Sequence, residues 1–490
     1  MTSLVNDLTL SAVERYKDCL SSEDYAQLLK VISQPADIAV RVNLLKSANP
    51  QAAFSRWSGR YGWQAKPIPF APDAWQISSA QNPPGQTIEH RFGYYYIQDA
   101  ASILPVALFS ALPKDGLTLD MAASPGGKST QLVESADDAS LLLANDSSAS
   151  RLQALRVVLL TWGAANSAVT NFPGERLGAW FPETFDRVLL DAPCSMEGLR
   201  VSASHPFRAI TPGERERLAA RQYALLESAV SAARIGGEIV YSTCTLAPEE
   251  DEAVLSAFLE KHPGSARLLP SPLAGLNAPG LTRFEGREFD HQTARSLRLW
   301  PHLAGTNGFF AAKLLKTAPL DLPRQTPPSR PFGKTGLEPL DAKDQTALFA
   351  SLLDLYSFDF RAEAEKRQLL LYRRDQQLSL LPEQYLRRFS DLPYYAFGFP
   401  FGKWSGANFD LSPEMISRYG DRFGSNVWVI PEELARQWLQ GSDIRGVEVS
   451  GCRKSSIIAL RDAEGRNLGA GKNLPGRLRN LLPSRAILTP

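Results

Sequence analysis

The sequence predicts an α/β protein built around a parallel, doubly wound sheet, and three observations predict it. Between about residues 101 and 317, short apolar runs of strand length alternate with longer stretches that read as helices. The first run, Leu117–Met121, leads at once into a Gly-Gly turn and a helix-like stretch. Two later runs, Phe185–Asp191 and Glu238–Cys244, each carry a cysteine at or just past their ends. That is where open α/β sheets hold their ligands.

The elements follow in order. After Leu117–Met121 a helix is expected from Ser129. Ser140–Asn145 (SLLLAN) is the second strand and Ala149–Trp162 the next helix. Ser167–Asn171 reads as a third strand and Phe185–Asp191 (FDRVLLD) as a fourth, before a helix over Glu214–Ala233. Glu238–Cys244 (EIVYSTC) is the fifth strand, followed by a helix over Glu249–Lys261. Residues 1–100 are mixed in pattern. Pro319, Pro323, Pro327, Pro328 and Pro331 crowd 318–340, which predicts an extended linker. Residues 341–390 combine a helix-like LFASLLDLY with a strand-like LLLY, a small intermediate domain. The remainder, 391–490, places short strand candidates (VWVI, SIIAL) between Gly-rich and charged turns, a small β-rich domain.

Composition narrows the function classes. With 53 Lys+Arg against 52 Asp+Glu, the chain has no overall basic footprint, so any charge for nucleic acid is local. The four cysteines, Cys19, Cys194, Cys244 and Cys452, form neither a disulfide framework nor a Cys/His cluster, and no metal is expected. No apolar stretch approaches the roughly 20 residues of a membrane span, and the start lacks a basic-then-apolar leader, so a cytoplasmic protein is expected.

The turn at 120–130, DMAASPGGKST, admits more than one reading. A phosphate-binding P-loop needs Gly five residues before Gly127, where Ala122 stands. A cofactor loop for S-adenosylmethionine would use the close backbone of Ala122, Ala123, Ser124, Pro125, Gly126, Gly127 and Lys128, with Asp146 at the next strand end on the ribose hydroxyls. A plain tight turn is the third possibility.

In the strand order usual for methyltransferases the fourth and fifth strands are neighbours, about 4.8 Å apart, so Cys194 and Cys244 would face one cleft. Carbon 5 of cytosine is a poor nucleophile. Thiolate addition to carbon 6 makes the ring an enamine that can attack a methyl donor. Asp191 is placed to assist at ring nitrogen 3, and a second thiol can help release the product. The helix after Cys244 could lower its thiol pKa. The competing reading makes both cysteines small buried hydrophobes.

Several blocks together resemble a known family. AASPGGKS (122–129), LANDSSASR (143–151), DAPCSMEG (191–198) and YSTCTLAPEED (241–251) resemble the RNA (cytosine-C5)-methyltransferases of the Nop/Sun type. RVNLLK (41–46), YYIQDAAS (95–102) and LRLWPHLAGTNGFFAAKLLK (297–316) look like the same family. The proline linker and small last domain most resemble the RsmF-like branch. The resemblance implies a Rossmann-like methyltransferase domain at 101–317, an N-terminal RNA-binding extension at 1–100 and a PUA-like RNA-binding domain at 391–490. It implies S-adenosylmethionine as cofactor, and 16S ribosomal RNA or the 30S subunit as partner. By motif, Cys244 becomes the nucleophile, Cys194 the release cysteine and Asp191 the cytosine-contacting acid near the cofactor.

This chain departs from the family at Pro173, where an acid near the adenine is usual; Glu175 is the candidate replacement. It departs at Met196, in SMEG for SGEG, and at Val201 and Ser202, where an Arg-Lys pair is common, with Arg200 one residue away. These departures motivate one alternative, an RNA-binding or ribosome-assembly factor that kept the fold. Methylation of an exocyclic amine is another, disfavoured by Asp-Ala-Pro-Cys where such enzymes use a Pro-Pro-aromatic turn. Two segments are candidate RNA contacts. Phe54, Trp57, Tyr61 and Trp63 alternate with Arg56 and Arg60, which suits base stacking or a small core. Arg453, Lys454, Arg461, Arg466, Lys472, Arg477, Arg479 and Arg485 stand against only Asp462 and Glu464, which suits phosphate contacts or a solvated face.

Overall fold

The computed structural model describes residues 13–136, 139–199, 210–273, 276, 278–404 and 409–488. Arg200, Val201 and Ser202 lie outside the described residues.

Seven strands make the body of the central sheet. They are β1 (Leu117–Asp120), β2 (Leu141–Asn145), β3 (Ser167–Thr170), β4 (Phe185–Asp191), β5 (Ala233–Thr243), β6 (Ala266–Leu269) and β7 (Phe309–Lys316). Their order is β3-β2-β1-β4-β5-β7-β6. The expected parallel pairing holds from β3 to β5. It does not hold beyond, where β7 runs antiparallel to both β5 and β6. Strands β1, β2 and β3 are buried at every residue, which is why they read as continuous apolar runs. The chain order reverses between β1 and β4, and a crevice opens at such a switch point.

The longer helices that flank this sheet, among the described residues, are α1 (Gly127–Glu134), α2 (Ala149–Trp162), α3 (Pro212–Ala232) and α4 (Glu252–Lys261). Local chemistry sets their ends. Thr211 accepts from the Glu214 amide and Pro212 occupies the first helical turn, so α3 starts before Glu214. Gly163, at φ 95°, closes α2 in the left-handed conformation. Helix α4 starts three residues later than expected.

Before the central sheet lies a four-stranded antiparallel sheet, ordered Trp63–Ile68, Ala71–Ala80, Ile38–Val42, Tyr95–Asp99. Its helix, Pro50–Tyr61, turns Phe54 and Trp57 inward. Phe54 stacks on Trp75 at 4.2 Å, and Trp57 and Trp63 both pack near Tyr95. The aromatic series at 54–63 is therefore core rather than a stacking platform. Arg60 is committed to Glu89 and Glu464, while Arg56 stays exposed.

Residues 318–330 have no regular structure and are mostly exposed, but backbone hydrogen bonds tie them down. The Gln325 amide donates to Ala179 O at 3.0 Å and the Arg330 amide to Asp391 O at 2.7 Å. A five-stranded antiparallel sheet then spans Glu338 to Leu411, crossing the boundary expected at 390. Within that span Ala396–Phe397 leaves to pair with the outer edge of β3. A second five-stranded sheet runs from Val427–Val429 to Arg477–Asn480. It corrects the expected basic surface, because acids from distant segments reach it. Arg453 pairs with Asp354, Lys472 with Asp410 and Arg477 with Asp443, while Arg466 takes Asp462. Arg461 caps the carbonyls of Gly420 and Phe423. Among the described residues, only Lys454 and Arg479 of that series remain exposed without a carboxylate partner.

Lys46 pins three of these layers. Its ammonium donates to Phe92 O at 2.6 Å, Thr161 O at 2.8 Å and Ser417 Oγ at 2.8 Å. Burial, then the nearby Arg418, pull its pKa down to about 7. A depressed pKa adds stability above the unfolded value of about 10.4 that is lost as pH falls through the folded value. Between pH 7 and 10, wild-type stability should therefore rise relative to Lys46→Met, at up to about 1.4 kcal/mol per pH unit. Denaturant midpoints of the two proteins across that range check the slope.

Candidate active site

The crevice beside β1 and β4 holds a cavity of about 260 Å³. Its floor is Asp120 and the turn Ala122, Ala123, Ser124, Pro125, Gly127 and Lys128; Tyr96, Gln98 and Asp191 form other walls. Two glycines make the turn possible. Gly126 sits at φ 118°, and a Cβ there would meet Val158 Cγ1 at 2.9 Å. A Cβ on Gly127 would meet Tyr96 Cε1 at 2.9 Å. Gly126 backs the cavity and does not line it.

The wall carries unmet hydrogen-bonding capacity. Asp120 Oδ2 accepts from Ser129 Oγ at 2.7 Å, but among the described residues Oδ1 is buried with no hydrogen-bond partner. Burial pushes that carboxyl up to about 7. Among the described residues, both amide atoms of Gln98 are also buried with no hydrogen-bond partner. Buried polar atoms seldom stay unsatisfied, so the wall is built for a ligand bearing both donors and acceptors. The amino-acid end of S-adenosylmethionine has that character. Residue order alone does not mark Tyr96, Gln98 or Asp120 as contacts; the block YYIQDAAS is the nearest signal.

Asp146 is placed differently from the expectation. It is fully buried and does not line the cavity. Its Oδ2 accepts from the Ser124 amide at 3.1 Å; its Oδ1 accepts from the Ser148 amide at 2.8 Å and from Arg151 at 3.0 Å. It ties the 122–128 turn to the start of α2. Pro173 is exposed, and Glu175 is held by Arg221 at 2.9 Å, facing α3.

The two thiols do meet. Asp191 lies opposite Ser242 across the β4–β5 pairing, and the turns beyond bring Cys194 Sγ to 3.3 Å from Cys244 Sγ. Cys244 is exposed and Cys194 half-buried. The hydrogen bond to Cys244, then burial, hold the Cys194 thiol well above its ordinary range. Cys244 is the more accessible sulfur of the pair. The cation beside it is Lys128. Burial works to lower the lysine pKa, but Asp191 and Cys244 outweigh it and keep the ammonium charged. Lys128 Nζ lies 2.7 Å from Asp191 Oδ2, while Asp191 Oδ1 accepts from Ser242 Oγ at 2.8 Å. The expected helix contribution is displaced, because α4 begins eight residues after Cys244.

Buried groups hold both cysteine turns. Glu250 accepts from the Ser195 amide at 3.0 Å and from Gln222 at 2.8 Å. Arg298, fully buried, donates to Leu246 O at 2.7 Å and to Glu252 Oε1 at 3.0 Å; Thr243 Oγ1 donates to Asp251 Oδ1 at 2.6 Å. Among the described residues no group of three His, Cys, Asp or Glu could hold a metal, and no helix is long and apolar enough to cross a membrane.

Comparison with known proteins gives concordant matches. The family model for 16S rRNA methyltransferase RsmB/F matches residues 108–315, and that for the N-terminal domain of 16S rRNA methyltransferase RsmF matches 8–100. A ribosomal RNA small subunit methyltransferase F from Erwinia tasmaniensis is 32% identical, over 97% of this chain and 96% of its own. Its namesake from Klebsiella pneumoniae is 32% identical over 96% and 93%. A methyltransferase homologue from Pyrococcus horikoshii, 29% identical, aligns with a TM-score of 0.55 over 64% of this chain and 99% of that one. NSun6 from the same organism shares the fold, with a TM-score of 0.52 at 21% identity, over 62% and 97%.

Met196 stands out beside the thiols. It is 59% exposed and held at φ 62°, a region that costs a non-glycine residue about 1 kcal/mol. Met196→Gly should keep or raise stability, by up to about 1 kcal/mol, whereas Met196→Val should lower it by at least that much. Urea midpoints of the three proteins test the ordering.

Proposed function

Because the chain belongs to the 16S rRNA methyltransferase RsmB/F family, in its RsmF branch, we propose that it methylates carbon 5 of a cytosine in 16S ribosomal RNA through a covalent bond to Cys244. The observation that carries this reading is the thiol pair at 3.3 Å, on the turns just past the Asp191–Ser242 pairing, with Asp191 and Lys128 lining the neighbouring cavity. S-adenosylmethionine would be held along Ala122, Ala123, Ser124, Pro125, Gly127 and Lys128, with Gly126 shaping the turn and Asp146 bracing it, and would supply an electrophilic methyl group. Gln98 and Asp120 would meet its amino-acid end.

The chain's own residues do the rest. The Cys244 thiolate adds to ring carbon 6 while Asp191, ion-paired to Lys128, accepts from the exocyclic amine and the ammonium provides the proton for nitrogen 3. Carbon 5 gains enamine character, the nucleophile that a methyl donor in the cavity would meet. The role of Cys194 then follows from its hydrogen bond. Cys194 Sγ hydrogen-bonds Cys244 Sγ at 3.3 Å, so it stands next to the base that Cys244 holds. Cys194 can then lose its proton to water, accept the proton from carbon 5, and let the Cys244 bond break. The cytosine must be unstacked to reach these groups.

A second reading has one supporting observation. Pro173 is exposed and Asp146 is buried, accepting from the Ser124 and Ser148 amides and from Arg151, so the adenosine end meets fewer free acids than the family pattern supplies. A factor that binds RNA without modifying it fits that. One experiment separates the readings. Wild type, Cys194→Ala and Cys244→Ala are incubated with 16S ribosomal RNA and S-adenosylmethionine and run on denaturing gels. Cys194→Ala should stay attached to RNA. Cys244→Ala should form no adduct and lose methyl transfer by on the order of a thousandfold or more. Wild type with neither adduct nor methyl incorporation favours the binding factor. Methyl transfer surviving in Cys244→Ala indicates an exocyclic amine as acceptor.

A further inference from the structure

A second cavity, of about 470 Å³, lies on the far side of β3, where Ala396–Phe397 joins that strand to the sheet beyond the linker. It is lined by Arg156 from α2, by Arg374 at the end of the strand Leu369–Arg374, and by Tyr394 and Tyr395. Arg330 is close enough for its charge, with that of Arg374, to act on the half-buried Tyr394 phenol. The three arginines are exposed, and among the described residues none has a carboxylate within ion-pair distance. This contrasts with the last sheet, where most basic side chains found acids. Cations gathered around a concavity without an anion repel one another, and a bound phosphate would relieve that repulsion. Tyr395, 43% exposed, offers a ring face at the rim, steadied by a hydrogen bond to Gln153 at 3.3 Å. Strands β2, β1 and β4 separate β3 from β5, so the cavity is on the order of 20 Å from the thiols.

From these residues we infer that the cavity is a second nucleotide-binding site, which takes a single-stranded segment of the RNA substrate at a distance from the target cytosine. Arg156 and Arg374 hold its phosphates and Tyr395 stacks against a base. The inference rests on RNA being the substrate. It concerns binding rather than chemistry, so the thiol variants can fail without affecting it.

The test uses the full chain and a short fluorescein-labelled single-stranded RNA, read by anisotropy over a salt series. The variants are Arg156→Ala/Arg374→Ala and Tyr395→Ala, with Arg267→Ala, exposed on β6 across the sheet, as control. The double variant should bind RNA roughly tenfold more weakly, and its salt slope should be shallower by about 0.7 for each phosphate that an arginine no longer neutralises. Tyr395→Ala should weaken binding about fivefold or more without changing the slope. Arg267→Ala should match wild type, and S-adenosylmethionine affinity, measured on the same samples, should not change. RNA affinity and slope unchanged in both cavity variants would overturn the inference. So would uridine 5′-monophosphate binding that is abolished in the double variant while RNA affinity is kept, since that assigns the cavity to a free nucleotide.

Discussion

The parallel pairing of β4 with β5 is the constraint on which the site depends. Its register sets Asp191 opposite Ser242, and the hydroxyl of one holds the carboxylate of the other at 2.8 Å. Two residues after Ser242 and three after Asp191 come the thiols. A slip of one residue would send alternate side chains to the opposite face and separate them. Because both strands are buried, such a slip would also expose apolar residues, so the core that stabilises the sheet fixes the geometry of the thiols as well.

Charge is arranged around that pairing with little left free. Lys128 enters from the 122–128 turn, so an ammonium that lines the cavity also sits beside the acid and acts on Cys244. Behind the turns, Arg298 lies buried with Asp251 and Glu252. Removing one partner from such a cluster strands a buried charge and costs about 3–5 kcal/mol. The loop that carries Cys244 is thus held by interactions that cannot relax cheaply. Met196 is the exception in this neighbourhood, an exposed apolar side chain on a backbone that favours glycine.

Much of this is legible in residue order because its signals are local. Apolar runs at strand spacing mark β1 to β5, Gly126 and Gly127 mark the turn, and Asp191, Cys194 and Cys244 fall at strand ends. What escapes depends on distant segments meeting. The antiparallel placement of β7 is a matter of sheet closure, and its apolar run would suit either direction. The aromatic series at 54–63 carries no sign that Trp75 and Tyr95 pack against it. The basic residues near the C-terminus look uncompensated because Asp354 and Asp410 lie far off in sequence. Asp146 occupies the strand end where a ribose-binding acid is expected, but short-range amides and Arg151 claim its oxygens. Gln98 and Asp120 become visible as site residues only through the partners they lack.

The central claim is that one particular sulfur bonds to the pyrimidine. RNA carrying 5-fluorocytidine has no proton to lose from carbon 5, so the enzyme–base bond cannot be released. Incubating the wild-type protein with such 16S RNA and S-adenosylmethionine, then sequencing the RNA-linked peptide by mass spectrometry, locates the bond. The account predicts a methylated adduct on Cys244. An adduct on Cys194, or turnover with no adduct at all, would contradict it.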